Sequence, residues 1–167
     1  MFFRNMLVAL LLVPGAAFAQ PKPAASSIEG VWRITSIVTT GANAATNNKP
    51  QQSVYIFTKG YYSVLSVNGT TPRPKVAAAK DPAKLTDTEK LARFEQWNPF
   101  TANAGTYQIT GTALTRRPTV AKNETVMTTD PPQVAQFKIS GNTLTLVAKS
   151  AAGQPASETT TTLTRVE

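Results

Sequence analysis

Cysteine and histidine are both absent from this chain of 167 residues, so its chemistry falls to arginine, tyrosine, lysine and the carboxylates. Thiol nucleophiles, imidazole-based triads and most transition-metal sites lose their usual residues. Acid–base work would need Asp, Glu, Lys or Tyr. The nine acidic residues are Glu29, Asp81, Asp87, Glu89, Glu95, Glu124, Asp130, Glu158 and Glu167. They fall mainly in expected loops, on a helix surface or at strand ends, and none sits mid-strand on an apolar face. A buried carboxylate pair is therefore not expected. No catalytic residue, cofactor or metal ligand can be named. The inventory points more toward binding than toward catalysis and leaves catalysis open.

The residues that could line a binding cavity follow from alternation along strands. In "ALTRRPTV" (113–120) Leu114 and Arg116 share one face, and Thr115 and Arg117 share the other. If Leu114 points inward, so does Arg116, which could then pair with a ligand carboxylate. The alternative is that Arg116 lies near a strand end and reaches water. Tyr107 goes with Ile109 and Phe137 with Ile139, as lining or as plain core. Two stretches are ambiguous: Tyr61 competes with Tyr62 for the inward face, and Tyr55 with Phe57 competes with Val54 and Ile56. The candidate ligand-binding set is Arg116, Tyr107, Phe137, Tyr61 and Phe57.

From Ile28 onward, short alternating runs separated by turns predict antiparallel β structure. "IEGVWRITSIVTT" opens it, and "GANAATNNKPQQ" reads as a polar loop. "SVYIFTKGYYSVLSVNGT" reads as a hairpin, with strands 53–58 and 61–67 about Lys59-Gly60. Further hairpins are expected about Gly111 and about Ser140-Gly141-Asn142, with "TVMTTDPP" as loop and "ETTTTLTRV" as the last strand. One helix stands out in "LTDTEKLARFEQWNPF". Thr86 and Glu89 have capping-box spacing, and Pro99 ends it. Leu91, Phe94 and Trp97 recur every three residues and predict a face packed on the barrel or across its mouth. About eight strands with one inserted helix fit an eight-stranded antiparallel barrel large enough for one small ligand. A two-sheet sandwich is the alternative.

The N-terminus is read apart from this fold. "MFFRNMLVALLLVPGAAFAQ" has Arg4, an apolar run from Met6 to Val13, and small residues Ala17 and Ala19 at the positions a signal peptidase reads. The run is shorter than the roughly 20 apolar residues of a spanning helix. Residues 1–19 are thus expected to be a signal peptide, 20–27 a flexible leader, and 28–167 one exported domain, periplasmic or secreted. Seventeen basic residues against nine acidic give a net charge of +8. The basic residues are spread along the chain without interleaved aromatics, which argues against nucleic acid as a partner. Oligomeric state is not legible.

A tryptophan on the first strand can plug one end of a closed barrel, with a neighbouring glycine allowing close backbone approach and an arginine from the last strand lying over the indole. Gly30-Val31-Trp32 and Arg165 are placed for those roles. That pairing, with "GVWRITS", "YIFTKGYYSV", "AGTYQITG" and "ISGNTLTLV" in this order, resembles the bacterial lipocalin-like domain family. The resemblance covers most of residues 28–167. It implies an up-and-down barrel or barrel-like sheet with a small-molecule cavity. One departure is that the family often carries histidines on the strand where this chain has Arg116-Arg117. The expected function is a module that holds an apolar or amphipathic molecule, one that could be anionic. The alternative is a barrel-type isomerase or hydratase acting on a lipid-like substrate.

Overall fold

The computed structural model describes residues 27–128 and 132–167. The expected signal segment 1–19 and most of the leader lie outside the described residues, as do Asp130 and Pro131.

Among the described residues, nine strands and two helices follow one another as β1 (Gly30–Gly41), β2 (Ala45–Asn47), β3 (Ser53–Thr58), β4 (Tyr61–Val67), α1 (Asp87–Trp97), β5 (Phe100–Thr110), β6 (Ala113–Ala121), α2 (Thr125–Thr128), β7 (Gln133–Ser140), β8 (Thr143–Lys149) and β9 (Ser157–Arg165). Each strand from β3 to β9 pairs antiparallel with the next, and β9 returns to pair with β1. β1 also pairs with β3, so eight strands close into an antiparallel barrel. The short β2 adds to the far half of β1, outside the ring.

The two ends differ. Tight hairpins close one end at Lys59-Gly60, Gly111-Thr112 and Gly141-Asn142. Lys59 and Gly60 both have positive φ, 45° and 83°, which matches a hairpin turn to the right-handed strand twist. The long connections 42–52, 68–99 and 150–156 lie at the other end, the mouth, as do the described residues 122–128 after β6.

Side chains fill the closed end. Trp32, Phe57, Leu114, Leu144 and Leu163 are wholly buried there, with Ile28, Ile34, Tyr62, Val64 and Leu146 around them. Trp32 is opposite Arg165 in the β1–β9 register. The Arg165 guanidinium carbon stands 4.1 Å from the indole centroid. Its two terminal nitrogens donate to the carbonyls of Glu29 and Ser27, each at 2.6 Å. The indole N–H donates to the Ile28 carbonyl at 2.8 Å. Gly30 has φ +130°, and a Cβ there would stand 2.5 Å from Arg165 Nη1 and from the Glu167 carbonyl oxygen. Only glycine permits both that backbone and the closeness of the lid. Trp32 therefore sits two residues after Gly30, at the point where the barrel is sealed.

Three expectations are corrected. The α1 face of Leu91, Phe94 and Trp97 is not buried against the barrel: these side chains are at least half exposed, the helix has no buried residue, and Trp97 meets Phe100 of β5 edge-on at 5.5 Å. The capping box itself is present, with Glu89 N–H on Thr86 Oγ1 and Thr86 N–H on the Glu89 carboxylate. The helix is held by its ends instead. The Lys122 ammonium, from the end of β6, donates to the carbonyls of Trp97, Asn98 and Phe100, supplying the cation that the last turn lacks. Gln96 donates to the Pro74 carbonyl, and Arg73 stacks on Trp97 and Phe100. Second, the polar loop after β1 contains β2, because β1 outruns β3 and its free edge takes a partner. Third, "TVMT" winds into α2 rather than loop.

Trp32→Ala should lower stability by about 3–5 kcal/mol, the range for emptying a large aromatic site. Arg165→Ala should cost less, and a double-mutant cycle by urea unfolding should show coupling of about 0.5–3 kcal/mol, as for side chains in contact. Zero coupling would dismiss the lid.

Exposed helix positions give the opposite expectation. Leu91→Ser and Phe94→Ser should each shift stability by no more than about 0.5 kcal/mol, as surface substitutions do. A clear drop in melting temperature would mean that this face is covered after all.

Candidate functional site

Strand parity and register fix which side chains enter the barrel. On β3 the inward residues are Ser53, Tyr55 and Phe57; on β4 they are Tyr62, Val64 and Ser66. Tyr107, Arg116 and Phe137 continue the ring on β5, β6 and β7, where Tyr107 is opposite Arg116 and Phe137 is opposite the buried Leu146. Of the five residues expected to line a cavity, Phe57, Tyr107, Arg116 and Phe137 are turned inward, and none of the five lines either recess, the one at the mouth or the one beside α1. Tyr61 stands on the outer face, 62% exposed, and its neighbour Tyr62 takes the inward place at 3%. The doubled tyrosine hid this in the sequence; the Phe57–Tyr62 register decides it.

The inward aromatics form a cluster. Phe57 meets Tyr107 edge-on at 5.4 Å between centroids, and Tyr55 and Tyr62 each at 6.5 Å. The Arg116 guanidinium lies 5.6 Å from the Tyr62 ring centroid. Arg116 therefore turns inward with Leu114 rather than out to water, although the residue keeps partial exposure.

Of the four buried polar atoms without a hydrogen-bond partner among the described residues, three lie in this interior, Tyr62 Oη, Arg116 Nε and Asn103 Oδ1, and the fourth is Arg93 Nε on α1. Asn103 is opposite Val64, one step toward the mouth from the Tyr62–Gly105 pair. Buried polar atoms are normally paired, so a group of three marks a place where a partner from outside the chain could bind. Burial pushes the Tyr62 phenol above its ordinary value; the Arg116 charge opposes that rise and Tyr55 adds to it. Tyr107 is also raised, first by burial and then by the charge of Glu29. Both phenols therefore remain O–H donors at neutral pH.

The wall beside this cluster is open. β1 pairs with β3 only from Gly30–Phe57 to Trp32–Tyr55, and its far half pairs with β2 instead. Ser53, the buried polar residue, patches the break by accepting the Ile34 N–H at 2.9 Å. Beyond that point a cavity of about 290 Å³ opens at the mouth, lined by Ile34, Ile37 and Thr39 of β1, Asn47, Gln51 and Ser66 among others. Such a volume lies at the lower end for small-molecule sites. A second recess, about 270 Å³, lies outside the barrel between residues 74–78 and α1.

Opposite the break, the β5–β6 ladder carries a bulge. The register passes from Ala104–Val120 to Gly105–Pro118 and skips Thr119. Pro118 fits within the strand because the ladder is interrupted there. A Cβ on Gly105 would collide with the Arg117 carbonyl, so the bulge requires glycine. Arg116 is next to this irregular stretch.

Among the described residues no group of carboxylates is placed to hold a metal ion. No helix among them is long and apolar enough to cross a membrane. The chain matches no family model, no curated protein and no solved structure.

Because the Tyr62 hydroxyl has no partner, Tyr62→Phe should leave stability at pH 7 unchanged or slightly raised, where a bonded buried hydroxyl would cost about 1 kcal/mol. The raised phenol adds a pH signature. A folded pKa above the unfolded value of about 10 contributes stability below that pH, which is lost as pH rises through the folded value. Urea midpoints should thus fall less steeply above pH 10 in Tyr62→Phe than in the parent. Equal slopes would show that Tyr62 ionises freely.

Proposed function

We propose that this protein is an exported, lipocalin-like binding module that holds a small apolar or amphipathic molecule in the mouth half of its barrel. One observation carries the reading. Side chains fill the closed end, whereas the mouth keeps a cavity of about 290 Å³ lined by Ile34, Ile37, Ala45 and Val67 with Thr39, Asn47 and Gln51. The interior suits a ligand with an apolar body, and the unpartnered polar atoms suit a ligand that also has a polar end.

Membership of the bacterial lipocalin-like family is part of the proposal. It is supported by the ordered motifs from Gly30 to Val147 and by the Trp32–Arg165 closure. Export to the periplasm or beyond is supported by the N-terminal sequence, with Ala17 and Ala19 before the cleavage point.

Fluorescence of N-phenyl-1-naphthylamine, a neutral apolar probe, should rise on titration with the purified protein. Ile37→Trp, which fills the mouth cavity, should weaken that binding while Leu91→Ser leaves it unchanged. Native mass spectrometry of protein purified from its host's envelope should show a co-purifying small molecule. A probe that never binds, together with bare protein in the spectrometer, would refute the binding function.

A further inference from the structure

We infer that the barrel interior recognises a monoanionic carboxylate, with the Tyr62 hydroxyl and the Arg116 guanidinium as its two donors. This rests on the binding reading above and names the head group of the ligand.

The argument starts from two donors that lack acceptors. Tyr62 is 97% buried by residue, on β4, and its Oη has no partner. Arg116 is on β6, and its Nε is equally enclosed and equally unpartnered. One strand, β5, separates them, with Gly105 opposite Tyr62 and Tyr107 opposite Arg116. The guanidinium lies 5.6 Å from the Tyr62 ring, so both donors border the same stretch of interior. Chance rarely leaves even one such donor unpaired, because each buried orphan carries its full desolvation cost.

Charge narrows the acceptor. Among the described residues the ion pair is Lys90 with Asp87, on the surface of α1, and no carboxylate lies within 4 Å of Arg116. No described carboxylate balances the guanidinium charge there. An anion is the complement that settles both its charge and its free N–H. A single cation with a single hydroxyl suits one negative charge shared over two oxygens, one taking the N–H and the other the O–H. A phosphate dianion would leave a second charge uncompensated beside Phe57 and Tyr107. The phenol stays protonated because burial raises its pKa, so it donates rather than repels. An apolar tail would then run toward the mouth along Tyr55, Ile37 and Ala148.

The test uses 11-(dansylamino)undecanoic acid and its methyl ester, titrated by fluorescence. The parent should bind the acid more tightly than the ester, by roughly ten- to hundredfold for a charge-assisted bond. Arg116→Gln and Tyr62→Phe should each cut the acid-to-ester ratio by about tenfold. The second carries no charge change, so a general attraction of the basic protein for acids cannot explain its effect. Arg117→Gln removes the same charge from an exposed neighbour and should leave the ratio as it was. If Arg116→Gln does not fold by circular dichroism, Arg116→Lys takes its place: it keeps the charge, loses the Nε–H and should also lower the ratio. Equal binding of acid and ester by the parent would overturn this inference while leaving the binding module intact. So would an unchanged ratio in Tyr62→Phe, or equal losses in Arg116→Gln and Arg117→Gln. If neither compound binds the parent while N-phenyl-1-naphthylamine does, the inference alone fails; if none of the three binds and the purified protein is bare, the binding reading fails with it.

Discussion

Everything in this fold depends on the last strand reaching the first. β1 pairs with β9 along almost its whole length, from Trp32–Arg165 to Gly41–Ser157, and with β3 over only three residue pairs. The sheet is therefore held shut by contacts between residues more than a hundred positions apart. Closure removes free strand edges, which would otherwise present unpaired N–H and C=O groups to other chains. It also demands a seal. The indole of Trp32, capped by Arg165 and bonded to the Ile28 carbonyl, joins both termini of the domain at one point. Without cysteine, the barrel is held shut by that seal and the core behind it, through packing and hydrogen bonds alone.

The same closure produces the site. A ring of eight strands cannot be regular everywhere, and the irregularities gather around the mouth-side interior. β1 shifts register between Ile34 and Ser36, β1 parts from β3 beyond Trp32, and the β5–β6 ladder bulges at Ala104–Gly105. Around these places are the cavity at the mouth and the unpartnered atoms of Tyr62, Asn103 and Arg116. Regular pairing would have left neither. The packed end supports the open end: Phe57, wholly buried, touches Tyr55, Tyr62 and Tyr107 and holds the aromatic wall in place.

α1 belongs to another layer of organisation. Its N-terminus is set locally by Thr86 and Glu89, and its C-terminus by a cation brought from β6. A helix fastened in this way does not need its apolar stripe buried to keep its position. Its connection leaves β4 through Asn68, whose N–H reaches the Pro99 carbonyl and whose side chain reaches Thr101, so the excursion is pinched shut at its base. The barrel can close as though the insertion were absent.

Much of the fold was legible in the sequence because it depends on local rules. Period-two alternation, Lys59-Gly60 between two apolar runs, and the Thr86–Glu89 spacing act within a few residues, so they located the β3–β4 hairpin and α1 from composition alone. Trp32 and Arg165 were legible for a different reason: closing a barrel brings its first and last strands side by side, and these two residues lie on those strands at the sealed end. The inward choice between Tyr61 and Tyr62 was not legible, since two neighbouring tyrosines satisfy either parity and only pairing with β3 and β5 breaks the tie. Nor was the exposed face of α1, because spacing every three residues states that a helix has an apolar side but not that anything covers it. Arg116 combines the two cases. Alternation tied it to Leu114, and tertiary packing alone turned that face inward, set its guanidinium against Tyr62 and left both donors without an acceptor.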